Sequence, residues 1–343
     1  MQPFARALGI ACFAAAGALA ASAADAQSVE QFYRGRTVTL TIGLPSGGGY
    51  DLYARMLAKH YGRFIPGNPT VVPKNMPGAG GLQASNYMAN VAPKDGSEIA
   101  MIASSALLTP LFGDEAAKFD PRKYTWIGSM NDDVSSCGVW HTTGVTRFED
   151  MMQKEVVFGA SGPAAITAAH AQVLKNLLGA KVKVILGYTG TKDVSLAMQR
   201  GEVGGSCGLT VSSLKTQWRD EWRNGNLKIL IQMGSREHPD LEGVPSIYKY
   251  AKSEDDTKVL HLVFDQSILG RPMLAPPGLP ADRVKALRDG FIATLKDPQF
   301  LADAGKAQME ILPATAAEID KLLATFYAYP PAIIRKAKQV QGL

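Results

Sequence analysis

Thr37-Val38-Thr39-Leu40-Thr41-Ile42-Gly43-Leu44-Pro45-Ser46-Gly47-Gly48-Gly49-Tyr50-Asp51 is the stretch that decides the fold. Its first six residues alternate with a period of two, which predicts a strand ending at Gly43. Pro45 to Tyr50 is a glycine-rich turn, and Asp51 can cap a helix whose apolar positions Leu52, Met56, Leu57, Tyr61 and Phe64 recur at helical spacing. Strand, glycine-rich turn and helix together are the repeating unit of an α/β protein.

The same unit recurs along the chain. Val71-Val72 and Ile99 to Ile102 read as strands, with the turn Asn75 to Gly81 and a helix through Met88 between them. Ile102 leads into Ser104-Ser105. A second series starts near Val134: Val156 to Phe158, then Gly159 to Pro163 and a helix to Leu178. Val182 to Leu186 is followed by Gly187 to Asp193 and a further helix, and Leu227 to Ile231 is a late strand. Beyond Pro276 to Pro280, amphipathic helices reach the C-terminus.

Composition narrows the function. The chain has 343 residues, 46% hydrophobic and 20% charged, which excludes a disordered polymer and suits two domains. Thirty-six Lys and Arg against 31 Asp and Glu give +5, but the basic residues are dispersed. The densest run, Arg335 to Lys338, reads as a solvated helix face, without the aromatic-interleaved stripe that nucleic-acid binding wants.

Residues 1–26 have the layout of an export signal: Arg6, an apolar run from Ala7 to Ala24, then Ala24-Asp25-Ala26 as a cleavage site. Export, with cleavage near Ala26, is therefore expected. Cleavage removes Cys12 and leaves Cys137 and Cys207. An oxidising compartment would let them pair, and two small buried thiols are the alternative.

Three turns, at residues 45–51, 160–167 and 188–193, share Gly, Ser and Thr. Such turns let backbone N–H groups and a helix N-terminus face an anion, while the hydroxyls of Ser46, Ser161, Thr167 and Thr191 orient a carboxylate. Enzyme signatures fit less well. Gly204-Gly205-Ser206-Cys207-Gly208 has the letters of a hydrolase elbow, with Asp220 and His238 following, but the preceding residues 195–200 read as helix where a strand is required. The five histidines are too far apart in sequence for a local metal pair. Asp132-Asp133 reads as a solvated turn. No cofactor motif follows any strand, so neither cofactor nor metal is expected.

Several of these segments resemble the extracytoplasmic receptors of tripartite tricarboxylate transporters, the Bug family. The resemblance is carried by residues 45–51, Asn75 to Gly81, Gly187 to Thr191, Ala197 to Gly205, Gly270-Arg271-Pro272 and Ala275 to Arg283. It implies a type II periplasmic-binding-protein fold, with two α/β lobes and the second inserted into the first. Lobe 1 would comprise 27–138 and 234–343, and lobe 2 would comprise 139–233. Hinge segments are expected near Val134–Trp140 and Ile231–Ser235. The implied function is capture of a small organic carboxylate by backbone N–H groups, hydroxyls and water, without an obligatory arginine, by a monomer that serves membrane permease subunits.

Carried over by position, Ser46, Gly47, Gly48, Gly49, Tyr50 and Asp51 form the first-lobe loop, with Ser104 and Ser105 nearby. Ser161, Gly162 and Thr167 form the second-lobe loop, joined by Tyr188, Gly190, Thr191 and Asp193. Two departures stand out: Tyr50 replaces a usual Thr or Ser, and Pro163-Ala164-Ala165 replaces a Gly/Ser-rich run. The rival readings are a secreted serine hydrolase using Ser206 and a sensory co-receptor of the same fold.

Overall fold

A computed structural model describes residues 27–162, 165–188 and 190–342. The leader expected over residues 1–26 lies outside these residues, as do Pro163, Ala164 and Thr189. The strands in chain order are β1 Thr37–Ile42, β2 Thr70–Asn75, β3 Glu98–Met101, β4 Thr125–Ser129, β5 Ser135–Trp140 and β6 Val156–Gly159. They continue with β7 Val182–Ile185, β8 Gly205–Thr210, β9 Leu227–Met233, β10 Pro272–Ala275 and β11 Ala314–Thr315.

These strands form two sheets that repeat one plan. The first has the order β11-β4-β10-β3-β1-β2 and the second β7-β6-β8-β5-β9. In each, a parallel trio (β2-β1-β3 and β7-β6-β8) is followed by one antiparallel strand, β10 or β5. The chain leaves the first sheet after β4, builds the whole second sheet, and returns through β10. This is the two-lobed α/β fold of periplasmic binding proteins, with the second lobe inserted into the first.

The crossing differs from the sequence expectation. Residues 135–138, expected in lobe 1, belong to β5, which pairs with β8 and β9 in the second sheet. The outward crossing is therefore the short segment 130–134. Within it Asp132 is fully buried and Asp133 largely so, rather than solvated. Asp132 accepts hydrogen bonds from Ser235 and Ser267 at 2.6 Å and faces Arg236 at 3.0 Å, while Asp133 pairs with Arg271. Two carboxylates can be buried there because each meets cationic and hydroxyl donors.

The first turn also departs from the prediction. Gly48, not Asp51, is the N-cap, in extended backbone at φ −85°, and the helix runs Gly49–Tyr61. The helix thus starts three residues early, and its buried apolar face is Tyr53, Ala54, Leu57, Ala58 and Tyr61, with Leu52 half exposed.

Apolar burial holds the halves together. Leu40, Ile42, Leu57, Tyr61, Phe291 and Phe300 fill one side of the first sheet. A second cluster runs without interruption from Trp126 and Phe326 of the first lobe to Phe158, Val173 and Leu174 of the second. Between them lie Val259 and Val263 of the helix Glu254–Phe264 and Ile333 and Ala337 of the helix Pro331–Val340. Each fully buried large side chain contributes roughly 1.5–3 kcal/mol, against about 0–1 for a surface ion pair. The shared cluster therefore sets where the lobes stay joined. No helix among the described residues is long and apolar enough to cross a membrane.

Candidate functional site

At the C-terminal end of β1 the chain turns through Ser46, Gly47 and Gly48, all exposed, before the helix begins at Gly49. Gly47 has φ +83°, a conformation that costs other residues roughly 1 kcal/mol or more. The N–H groups of Gly49, Tyr50 and Asp51 begin the helix and have no intrahelical acceptor, so this end carries partial positive charge toward the solvent.

Asp51 holds the turn. It is buried and accepts from the Gly47 N–H, from Arg55 Nε and from Asn75 Nδ2, each at 2.9 Å. The Arg55 hydrogen bond, followed by those of Gly47 and Asn75, outweighs burial and lowers its carboxyl to about 2. The Gly47 N–H is thus already engaged, and the donors left for an anion begin at Gly48.

Tyr50 occupies the place where a short hydroxyl was expected. Its phenol oxygen accepts the Ser104 N–H at 3.4 Å, which ties the first turn to the start of the helix Ser104–Leu108 at the end of β3. Ser104 is half-buried and Ser105 exposed. The Arg271 guanidinium lies 4.6 Å from the Tyr50 ring centre and 4.8 Å from that of Tyr53. A Cβ built on Gly49 would come within 3.2 Å of Arg271 Nη2, so the glycine admits the arginine. Arg271 is 11% exposed, donates through Nη1 to Asp133 and Gly270, and leaves Nε buried with no partner among the described residues. Burial pushes the Asp133 carboxyl up against the pull of Arg271.

The second lobe presents the matching turns. The Ser161 N–H donates to the buried Thr167 hydroxyl at 3.3 Å, and the two hydroxyls lie 3.4 Å apart. The Gly187 and Tyr188 N–H groups donate to Ser161 and Ala160 carbonyls, which joins the turns after β6 and β7. Gly162 is half-buried, Tyr188 packs on the second-lobe core, and Gly190 caps the helix Thr191–Gln199, whose first turn holds Asp193. The side chain of Thr191 lies outside what is described. Near the site, the link between lobes runs from Arg271 to Asp133 and on to Ser212, whose hydroxyl donates to Asp133 at 3.4 Å.

The candidate residues thus gather into two groups, one on each lobe. Sequence reasoning missed Arg271, Asp133 and the anchoring role of Asn75, although Arg271 and Asn75 stand in quoted motifs. Ser206 is fully buried inside β8, where its hydroxyl faces the Cys207 carbonyl at 3.3 Å, so no nucleophile elbow exists there. His238, Asp240 and Glu310 converge as possible metal ligands. However, Lys215 already bridges the two carboxylates, and His238 Nδ1 accepts the Asp240 N–H. Cys137 and Cys207 form a disulfide between β5 and β8.

No family model matches the chain. A UPF0065 protein in the gbd 5′ region of Cupriavidus necator is 26% identical over 312 residues, covering 88% of this chain and 87% of that protein. A TctC solute-binding protein from Polaromonas superposes with a TM-score of 0.69 at 18% identity, over 89% of this chain and 99% of the other. The periplasmic binding protein BugD gives 0.62 at 20% identity, covering 90% and 98%. An R. palustris protein solved with adipate gives 0.61 at 17%, again covering 90% and 98%. Across nearly its whole length, this chain is similar to the TctC and Bug solute-binding proteins and has their fold.

Proposed function

We propose that this protein is a periplasmic receptor that captures a small organic carboxylate between its lobes and delivers it, as a monomer, to a membrane permease of the tripartite tricarboxylate type. One observation carries the reading. The free N–H groups that open the helix Gly49–Tyr61 and the buried Arg271 guanidinium converge on the same turn, and two like-signed features in one place favour an anion between them and the solvent. Gly48, Gly49, Tyr50 and Ser46 would hold one carboxylate, with Ser104 and Ser105 beside them and Gly47 and Asp51 as their support. Ser161, Gly162, Thr167, Tyr188, Gly190, Thr191 and Asp193 would close from the other lobe. The adipate found in the R. palustris relative supports the ligand class.

The test is calorimetry with adipate and a panel of mono-, di- and tricarboxylates on the wild type and Gly48→Pro. Gly48 already has φ −85°, within reach of proline, so the substitution removes an N–H with little distortion. Binding should fall at least tenfold, about 1.4 kcal/mol, with unfolding little changed. If no carboxylate binds the wild type, or the variant binds equally well, the reading fails. Uptake of the bound carboxylate by cells lacking the permease subunits tests delivery, and should be lost.

A further inference from the structure

A groove of about 570 Å³ lies between the lobes and is lined by none of the described turn residues. Its second-lobe wall comes from the helices Val211–Thr216 and Arg219–Arg223, and its first-lobe wall from residues 305–310. The volume is that of a small-molecule site.

The charges on its rim do not cancel. Asp240 and Glu310 are both taken by Lys215, and Glu310 also faces His238 Nε2 at 2.9 Å. Burial would raise the Glu310 carboxyl, but those hydrogen bonds outweigh it and keep it below the usual range, so it stays ionised. Arg219 and Arg223, one helical turn apart, line the same groove and form no ion pair among the described residues. Two acids against three cations leave a positive excess. Between the charges stand Leu214, half-buried Trp222 and half-buried Met309, an apolar and aromatic surface.

The backbone supplies a separate sign. The helix Pro298–Lys306 ends in a Schellman motif, with Gln308 N–H to Gly305 O at 3.0 Å and Met309 N–H to Ala304 O at 2.9 Å. The left-handed position that glycine would fill is Gln308, at φ +54°. That backbone costs a non-glycine residue roughly 1 kcal/mol, and it sets a long amide side chain on the groove wall.

We propose that this groove is a second ligand site, taking an organic anion with an apolar body of aromatic size. The anion would lie against Arg219 and Arg223 and the body against Trp222 and Met309. Because both lobes supply its walls, such a ligand would favour one lobe arrangement.

The probe is naphthalene-2-carboxylate, with 2-naphthalenemethanol as its neutral counterpart, measured by calorimetry and Trp fluorescence on the disulfide-intact protein. A Cβ built on Gly305 meets open space, so Gly305→Phe should fill the groove without disturbing the fold. Should that variant unfold, Arg219→Ala/Arg223→Ala on the exposed helix carries the test alone. The acid should bind, the alcohol at least tenfold more weakly, and each groove variant should weaken the acid at least tenfold while Gly48→Pro leaves it unchanged. Absence of binding at millimolar acid, equal binding of the alcohol, indifference to the groove variants, or loss in Gly48→Pro would each overturn the proposal. Adipate binding is read separately on every variant, so failure here is distinct from failure of the receptor reading.

Discussion

Asp133 Oδ2 lies 3.1 Å from Arg271 Nη1, and the pair joins the segment leaving the first lobe to the residue that precedes β10 of that lobe. Both side chains are nearly nine-tenths buried. The carboxylate is what makes a guanidinium tolerable beside a helix N-terminus of the same sign.

Removing one partner should therefore cost far more than removing both. Arg271→Gln strands a buried carboxyl and should destabilise the protein by about 3–5 kcal/mol in urea unfolding. Arg271→Gln/Asp133→Asn should recover a large part of that loss. Additive losses in the double variant would mean that the two groups are not coupled.

The βα units were legible because they obey simple periodicities: Thr37 to Ile42 alternates, and the glycines that follow have no other common use. β5 and β8 were not legible. Ser135-Ser136-Cys137-Gly138-Val139-Trp140 is buried at every position, so no alternation marks it, and a Cβ on Gly138 would meet Leu227 at 2.9 Å. Gly204 to Gly208, which runs into β8, imitated a hydrolase motif for the same reason, since small residues pack between neighbouring strands. Arg271 was hidden differently. Its partners Asp133, Tyr50 and Tyr53 lie 138 or more residues away in the chain, and only the fold brings them together.

Asp51 should leave a signature in pH. Its folded carboxyl sits at about 2, below the ordinary value of 3.8. A depressed folded value contributes stability that is present above pH 4 and lost as pH falls toward 2. Arg55 is 45% exposed, which screens the pair, so Asp51→Asn should cost about 1–2 kcal/mol at neutral pH. Thermal unfolding of wild type and variant should converge between pH 4 and 2. A gap independent of pH would remove the carboxylate from the account.

The disulfide closes a separation of 70 residues between two strands that already pair. Loop-closure entropy gives roughly 4 kcal/mol for that length, as an upper figure. Cys137→Ala/Cys207→Ala should lower stability by about 2–4 kcal/mol. Unreduced wild type should weigh two hydrogens less than the reduced protein in mass spectrometry. A thiol-reactive label that modifies Cys137 or Cys207 in the unreduced native protein would contradict the pairing.

Lobe motion follows from where the core is continuous and where it is not. The apolar cluster shared through the helices Glu254–Phe264 and Pro331–Val340 fixes one side of the molecule, while the turns of the two lobes carry the half-buried and exposed polar groups. Rotation about the crossing at 130–134 and the return near Gly234 can open that polar side without breaking the shared core. A carboxylate touching both groups of turns gains contacts only when the lobes approach, and so must shift the population toward the closed form. A ligand held by Gly48 and Gly49 alone would have equal affinity for both forms and shift nothing. Small-angle scattering distinguishes these cases: saturating adipate should reduce the radius of gyration, and Gly48→Pro should lose that response at the same concentration. If bound adipate leaves the wild-type curve unchanged, the second-lobe turns do not meet the ligand, and Ser161, Thr167 and Tyr188 drop out of the site.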